Sequence, residues 1–282
     1  MALIWGSSFI FMKRGLESFT DTQVAAFRIF ISFLFLFPFA IQRYGKLKKN
    51  QIKPLLIVGF IGNGIPALLF TKAQTQVSSS LAGMLNSMVP LFALLTGYLF
   101  YKVQTKRKNI IGVFIGLVGA TGLILFNSNT SYSATSFYPF LIVLATICYS
   151  VSVNEIKQNL SDLDGVSIVA FAFFAIGPLA GIYLFFTDYS FALSTPDYLQ
   201  NFVYIFLLAI LSSVVATIFF NKLIKQTTAL FAASVTYLIP VVAILWGVID
   251  GEQISLYQLL SVGVILAGVK MVNAKTQTST FR

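Results

Sequence analysis

SLAGMLNSMVPLFALLTG, Ser80 to Gly97, is an apolar segment with one polar island at Asn86 and Ser87 and a proline four residues beyond the asparagine. LFAASVTYLIPVVAILWG, Leu230 to Gly247, repeats that plan. Displacing the chain by 150 residues lays Phe70 on Phe220, Lys72 on Lys222, Gln76 on Gln226, Ala82 on Ala232, Pro90 on Pro240, Ala93 on Ala243, Leu95 on Leu245 and Gly97 on Gly247. One proline meeting another carries little weight, but so many coincidences in one frame mean a duplicated chain. A displacement of 149 then pairs Gly119 with Gly268, and one of 144 pairs Trp5 with Tyr149, Ser8 with Ser152 and Lys13 with Lys157.

Composition names the solvent of the duplicated unit. Of 282 residues, 57% are hydrophobic and 10% charged, against about 25% charged in soluble domains; the mean hydropathy is +0.85. Apolar runs bounded by charge or by Pro, Gly and Asn clusters lie near 1–12, 24–42, 54–71, 77–101, 109–127, 137–154, 166–187, 201–221, 228–249 and 255–273. Most match the roughly 20 residues a helix needs to cross a bilayer core. Runs such as IIGVFIGLVGATGLILF do not alternate, which argues against barrel strands. The expected fold class is an all-α polytopic membrane protein of ten transmembrane helices, five in residues 1–127 and five in 137–282, joined by an external linker at 128–136. The first span ends at Lys13-Arg14 and has neither the basic leader nor the small-residue cleavage site of a signal peptide, so the chain is expected to begin inside a helix. Cys148 is the single cysteine and excludes an internal disulfide.

Charge orients the helices. With the N-terminus in the cytoplasm, 15 of the 19 basic residues fall on inside segments; Lys13, Arg14 and Lys72 fall outside and Arg28 within the second span. That asymmetry follows the positive-inside rule and places both termini in the cytoplasm. Five spans per half is an odd number, so the second copy enters the membrane from the opposite face. The result is two inverted repeats related by an axis in the membrane plane, the architecture of secondary transporters. The net charge of +10 thus reflects topology and contact with the anionic headgroups of the lipid bilayer. No soluble basic and aromatic module suited to nucleic acid is present.

WGSSF near the start, the small residues of Ser78 to Gly83 followed by NSMVPLFALLTG, and the echo ending in WGVIDGE resemble the drug/metabolite transporter superfamily, and within it the EamA-type ten-helix exporters. The resemblance covers nearly the whole chain. It implies a bacterial inner-membrane exporter of amino acids, other metabolites or drugs, with cytoplasmic termini. Two departures stand out. The family often carries an acidic residue after the fourth span as well as the ninth; Glu252 holds the second place, but Tyr101-Lys102 stands at the first. The first span is also shorter ahead of its tryptophan than the family's.

Inverted-repeat carriers bind substrate near the midplane, where helices are broken and spare carbonyls face a cavity. Pro90 and Pro240 are the expected interrupters. Gly83, Asn86, Ser87 and Pro90 share one helical face, and Ala233, Thr236, Tyr237 and Pro240 form its counterpart. Trp5 with Ser8, Tyr149 with Ser152, Asn63 with Pro66, and their mates Ser213 and Ala216 complete an expected substrate-binding cavity. Small and hydroxylated residues serve helix packing as well, and prolines can be plain kinks. Arg28, an intramembrane charge, is a functional candidate by its position: a gating or structural group, with contact to a carboxylate in transit as the alternative. Glu155 is expected to pair with Lys157 or water.

The absence of histidine removes HExxH zinc sites and Ser-His catalysis, and no phosphate-binding loop for ATP is present. The chain therefore reads as no enzyme and as needing no cofactor. It reads as a secondary transporter of a small-molecule substrate, working as a monomer by alternating access; a channel or a structural membrane protein is the alternative. A reporter fused after Arg282 is expected to be active in the cytoplasm, and activity on the outer side would overturn the orientation.

Overall fold

The computed structural model describes residues 1–105, 107–126, 137–227, 231–232 and 234–273. The expected linker at 128–136 and the C-terminal residues 274–282 lie outside that set. The secondary structure of the described residues is helical: α1 (Ala2–Leu16), α2 (Asp21–Arg43), α3 (Lys49–Gln74), α4 (Ser79–Tyr101), α5 (Arg107–Leu125), α6 (Tyr138–Asn159), α7 (Gly165–Phe186), α8 (Tyr198–Gln226), α9 (Val235–Ile249) and α10 (Leu256–Asn273). Seven of them, α2 to α8, are long and apolar enough to cross a membrane. α9 and α10 are shorter apolar helices, and α1 has 15 residues.

Local chemistry sets the helix starts. Thr20 accepts from the backbone of Gln23 while the Gln23 side chain accepts from the backbone of Thr20, a reciprocal cap that opens α2. Ser78 and Asp164 cap α4 and α7 in the same sense, each accepting a backbone N–H from the first turn. α1 runs past Lys13 and Arg14, where the sequence suggested an end, because acidic side chains from the α9–α10 connection meet both cations.

Four interruptions break the regular ladder. α3 contains a π-turn at Phe60–Gly64 and α8 a longer π segment at Leu208–Ala216. α4 breaks at Ser87 and Met88, and α9 opens with a 3₁₀ turn at Ser234–Leu238. The pairs are about 150 residues apart, the displacement that aligns the sequence with itself. Pro90 and Pro240 do not kink helix middles: each is the second residue of the half-helix that follows its break, where a missing N–H costs little. Pro66 does the same just after the π-turn of α3.

Without a hydrophobic drive between helices in lipid, close approach depends on small residues. α5 crosses α10 at Gly112, Gly116 and Gly268; a methyl group on Gly268 would lie 2.5 Å from the Gly112 carbonyl oxygen and 2.6 Å from the Gly116 nitrogen. α2 crosses α7 with Phe30 and Phe33 seated over Gly181 and Gly177. Phe35, Phe114, Phe185 and Leu245 point outward and are exposed, as a lipid-facing surface requires. Gly268→Val is expected to destabilise the fold by about 1–3 kcal/mol or more through overpacking, read as a lower thermal midpoint in detergent. Gly263→Val, at a site with open space around it, should leave the midpoint nearly unchanged.

Candidate functional site

Between the interruptions lies a cavity of about 100 Å³. Its wall is aromatic and amide-rich. Trp5 meets Phe220 edge to face at 4.9 Å, and Phe70 stacks on Tyr149 at 5.9 Å. The π segments feed the wall with backbone. In α3 the wide turn frees the Val58 carbonyl, which accepts the Asn63 amide N–H at 2.8 Å. In α8 the Ser212 carbonyl accepts from the Trp5 indole at 3.3 Å and from the Thr217 hydroxyl at 3.1 Å. Both of these carbonyls thus have a side-chain donor, as burial away from water demands.

Of the residues expected from sequence, Trp5, Ser8, Asn63, Asn86, Tyr149, Ser152 and Thr236 line this cavity, together with Arg28; Ala233 lies outside the described residues. Ser87, Pro90, Ser213, Tyr237 and Pro240 are not on its wall. The break in α4 turns Ser87 inward, where its hydroxyl donates to the Met84 carbonyl. Ser213 sits behind Arg28 and accepts from its Nε at 2.7 Å. The Tyr237 hydroxyl reaches α10 and donates to the Val269 carbonyl at 3.3 Å. Pro90 and Pro240 start their half-helices and are buried among neighbours. Sequence reasoning missed Phe9, Met12, Val58, Gly62, Val89, Phe220 and Asn221. The apolar ones carry no signal that separates a cavity wall from a lipid face; Asn221, a lone amide in an apolar run, did carry one.

The two ends of the cavity differ. Towards the end where α6 and α8 finish, its wall continues to Ile156 and Asn221. At the other end, where α1 and α9 finish and α4 begins, the helices are knotted together. Gly83 packs directly against Ala243. Glu252 Oε1 accepts from the Ser79 backbone N–H at 2.9 Å, the Ser79 hydroxyl at 2.8 Å and Lys13 Nζ at 2.9 Å. Its Oε2 accepts from the Ser80 backbone and hydroxyl at 3.0 and 2.5 Å. Asp250 joins the cluster, pairing with Lys13 at 2.5 Å and with Arg14. Burial opposes ionisation of Glu252, but the Ser80 and Lys13 hydrogen bonds outweigh it and hold its carboxyl below the ordinary value.

At the opposite end Lys157 does not pair with Glu155, contrary to expectation. Its ammonium donates to the carbonyls of Ile224, Lys225 and Thr227 at the end of α8, where a cation also meets the negative end of the helix dipole. Glu155 instead accepts from the Tyr101 hydroxyl at 2.5 Å and from Asn159. Tyr101, standing where an acidic residue was expected, thus borrows a carboxylate from α6.

The profile of the EamA-like transporter family matches residues 1–125 and 136–274. YedA, an uncharacterized inner membrane transporter of Escherichia coli K12, is 30% identical over 275 residues, covering 96% of this chain and 87% of that protein. An S-adenosylmethionine/S-adenosylhomocysteine transporter of Chlamydia trachomatis serovar L2 is 22% identical over 281 residues, with 96% and 86% covered. One solved crystal structure superposes with a TM-score of 0.66 at 14% identity, over 96% of this chain and 94% of that one, a likeness of fold.

Glu252→Gln should cost about 1.5–3 kcal/mol, the worth of hydrogen bonds to a charged group. The sign with pH follows from the lowered carboxyl value. The Glu252 contribution is present at neutral pH, above the unfolded-state value, and is lost as pH falls through the folded-state value. Thermal midpoints of wild type and Glu252→Gln are therefore expected to converge on acidification; a pH-independent gap would contradict the assignment.

Proposed function

The chain belongs to the EamA-like transporter family, and from that premise we propose that it is a secondary carrier exporting small organic metabolites such as amino acids across a bacterial inner membrane. Membership makes it a membrane transporter rather than an enzyme. The finer reading is of two inverted five-helix halves, residues 1–127 and 137–282, rocking about the central cavity, with both termini cytoplasmic and the monomer as the working unit.

The observation that carries this reading is the cavity bounded by broken helices from both halves and tied off at one end by the cluster of Lys13, Glu252, Ser79 and Ser80. Each half lends its first helix to the other: α1 packs on α8 and α9, and α6 on α3 and α4. In the orientation that the basic residues favour, this tied end faces outward. Opening the outer side requires Lys13 and Arg14 to leave Asp250 and Glu252, and Ser79 and Ser80 to leave Glu252. A channel would call for a ring of charge or a carbonyl filter, and the cavity wall has neither among the described residues. The cargo of the chlamydial relative, an amino-acid derivative, agrees with the substrate class.

Reconstitution into liposomes with a panel of labelled amino acids is expected to give saturable counterflow that persists when the pH gradient is collapsed, since among the described residues no carboxylate or imidazole lines the cavity. Conductance far above carrier turnover would favour a channel instead. Asn86 lines the cavity and none of the described hydrogen bonds involves its amide. Asn86→Leu should therefore weaken substrate binding by up to about a hundredfold with the thermal midpoint preserved. Tyr237→Phe should lower the midpoint and leave affinity alone. Unchanged affinity in a folded Asn86→Leu variant would take that residue out of the site.

A further inference from the structure

The cavity holds one cation and no acid. Arg28 is the single charged side chain on its wall among the described residues, and none of the ion pairs among them involves it. Its position is fixed from behind. Nε donates to Ser213 Oγ at 2.7 Å. The Ser32 hydroxyl donates both to the Arg28 carbonyl, at 2.7 Å, and to the Ala209 carbonyl of the α8 π segment, at 3.2 Å. With Nε committed, the Arg28 fork lies on the cavity wall, where it also hydrogen-bonds the Tyr149 phenol and keeps further N–H donors for a ligand. A guanidinium in a low-dielectric site without a counter-charge is costly, and its planar fork matches a carboxylate in two parallel hydrogen bonds.

Asn221 is a second polar residue of the same wall. The Asn221 side chain is 1% exposed, lines the cavity, and its Nδ2 has no acceptor. A buried donor left unpaired is rare in a finished structure. The wall therefore asks for oxygen acceptors and negative charge, and offers aromatic surface in Trp5, Phe70, Tyr149 and Phe220 for an apolar body.

We propose that the cavity is an organic-carboxylate site, in which the Arg28 fork receives the carboxylate, Ser213 is the positioning residue that aims the fork, and cations lacking a carboxylate are rejected because no acid is present to receive them. This rests on the transporter reading for the cavity being the substrate site, and it narrows the substrate class to carboxylates, zwitterionic amino acids included.

The test uses the purified full chain and matched probes differing only at the carboxylate: L-phenylalanine with L-phenylalaninamide, L-leucine with L-leucinamide, and 3-phenylpropanoate with 3-phenylpropanamide. Equilibrium binding should favour the carboxylate of each pair by at least about tenfold, and Arg28→Gln should weaken the carboxylates by roughly ten- to a hundredfold while leaving the amides unaltered. Arg28→Lys should keep part of the preference, and Ser213→Ala should fall between. If Arg28→Gln fails to fold, the wild-type pairs and Arg28→Lys still decide. Equal binding of carboxylate and amide, an undiminished preference in folded Arg28→Gln, or no carboxylate bound at all would overturn the proposal. Flux in liposomes without carboxylate preference would sink this inference alone. Carboxylate-selective binding without flux would sink the transporter reading alone.

Discussion

In hydrocarbon every backbone N–H and C=O must find a partner inside the protein, and the rest of this structure follows from how that constraint is met and where it is relaxed. Uninterrupted helices satisfy it automatically. α3, α4, α8 and α9 interrupt their ladders at matching places, and at the two π segments the freed carbonyls are met by Asn63, Trp5 and Thr217. The cavity exists where the ladder is broken, because only there do polar backbone and polar side chains share a dry space without being locked into a helix.

The same economy of partners governs charge. Lys13 and Lys157 occupy equivalent places in the duplicated sequence, yet they are neutralised differently. Lys13 meets Asp250 and Glu252, whereas Lys157 meets the carbonyl end of α8. Duplication alone would make the two ends alike. The acidic pair on the α9–α10 connection makes them unlike, and Glu252 ties three helices by receiving α1's lysine and the first amides of α4 at once.

Arg28 shows how packing converts a liability into a tool. Seven residues into α2, a guanidinium facing lipid would have to reach for the headgroups. The π segment of α8 brings Ser213 and the Ala209 carbonyl against that turn of α2, so the charge is held at the cavity. Among the described residues nothing on the wall is acidic.

The sequence by itself determined the membrane solvent and the helical class, because both depend on local hydropathy, and its self-match at a fixed displacement is the ground on which the duplication is proposed. It also picked out Trp5, Ser8, Asn63, Asn86, Tyr149 and Ser152, polar or amphipathic groups whose presence in an apolar run already asks for a partner. What only the tertiary structure decided is rotation. One residue of slip turns a helical side chain by about 100°, and with apolar lipid on one side and apolar neighbours on the other, hydropathy does not mark the phase. The π-turns are such slips. The π segment of α8 puts Ser212 on the wall and Ser213 behind Arg28, and the 3₁₀ turn of α9 precedes a Tyr237 whose hydroxyl reaches α10; Phe9, Met12 and Val89 line the cavity although nothing in their identity distinguishes them from residues that face lipid.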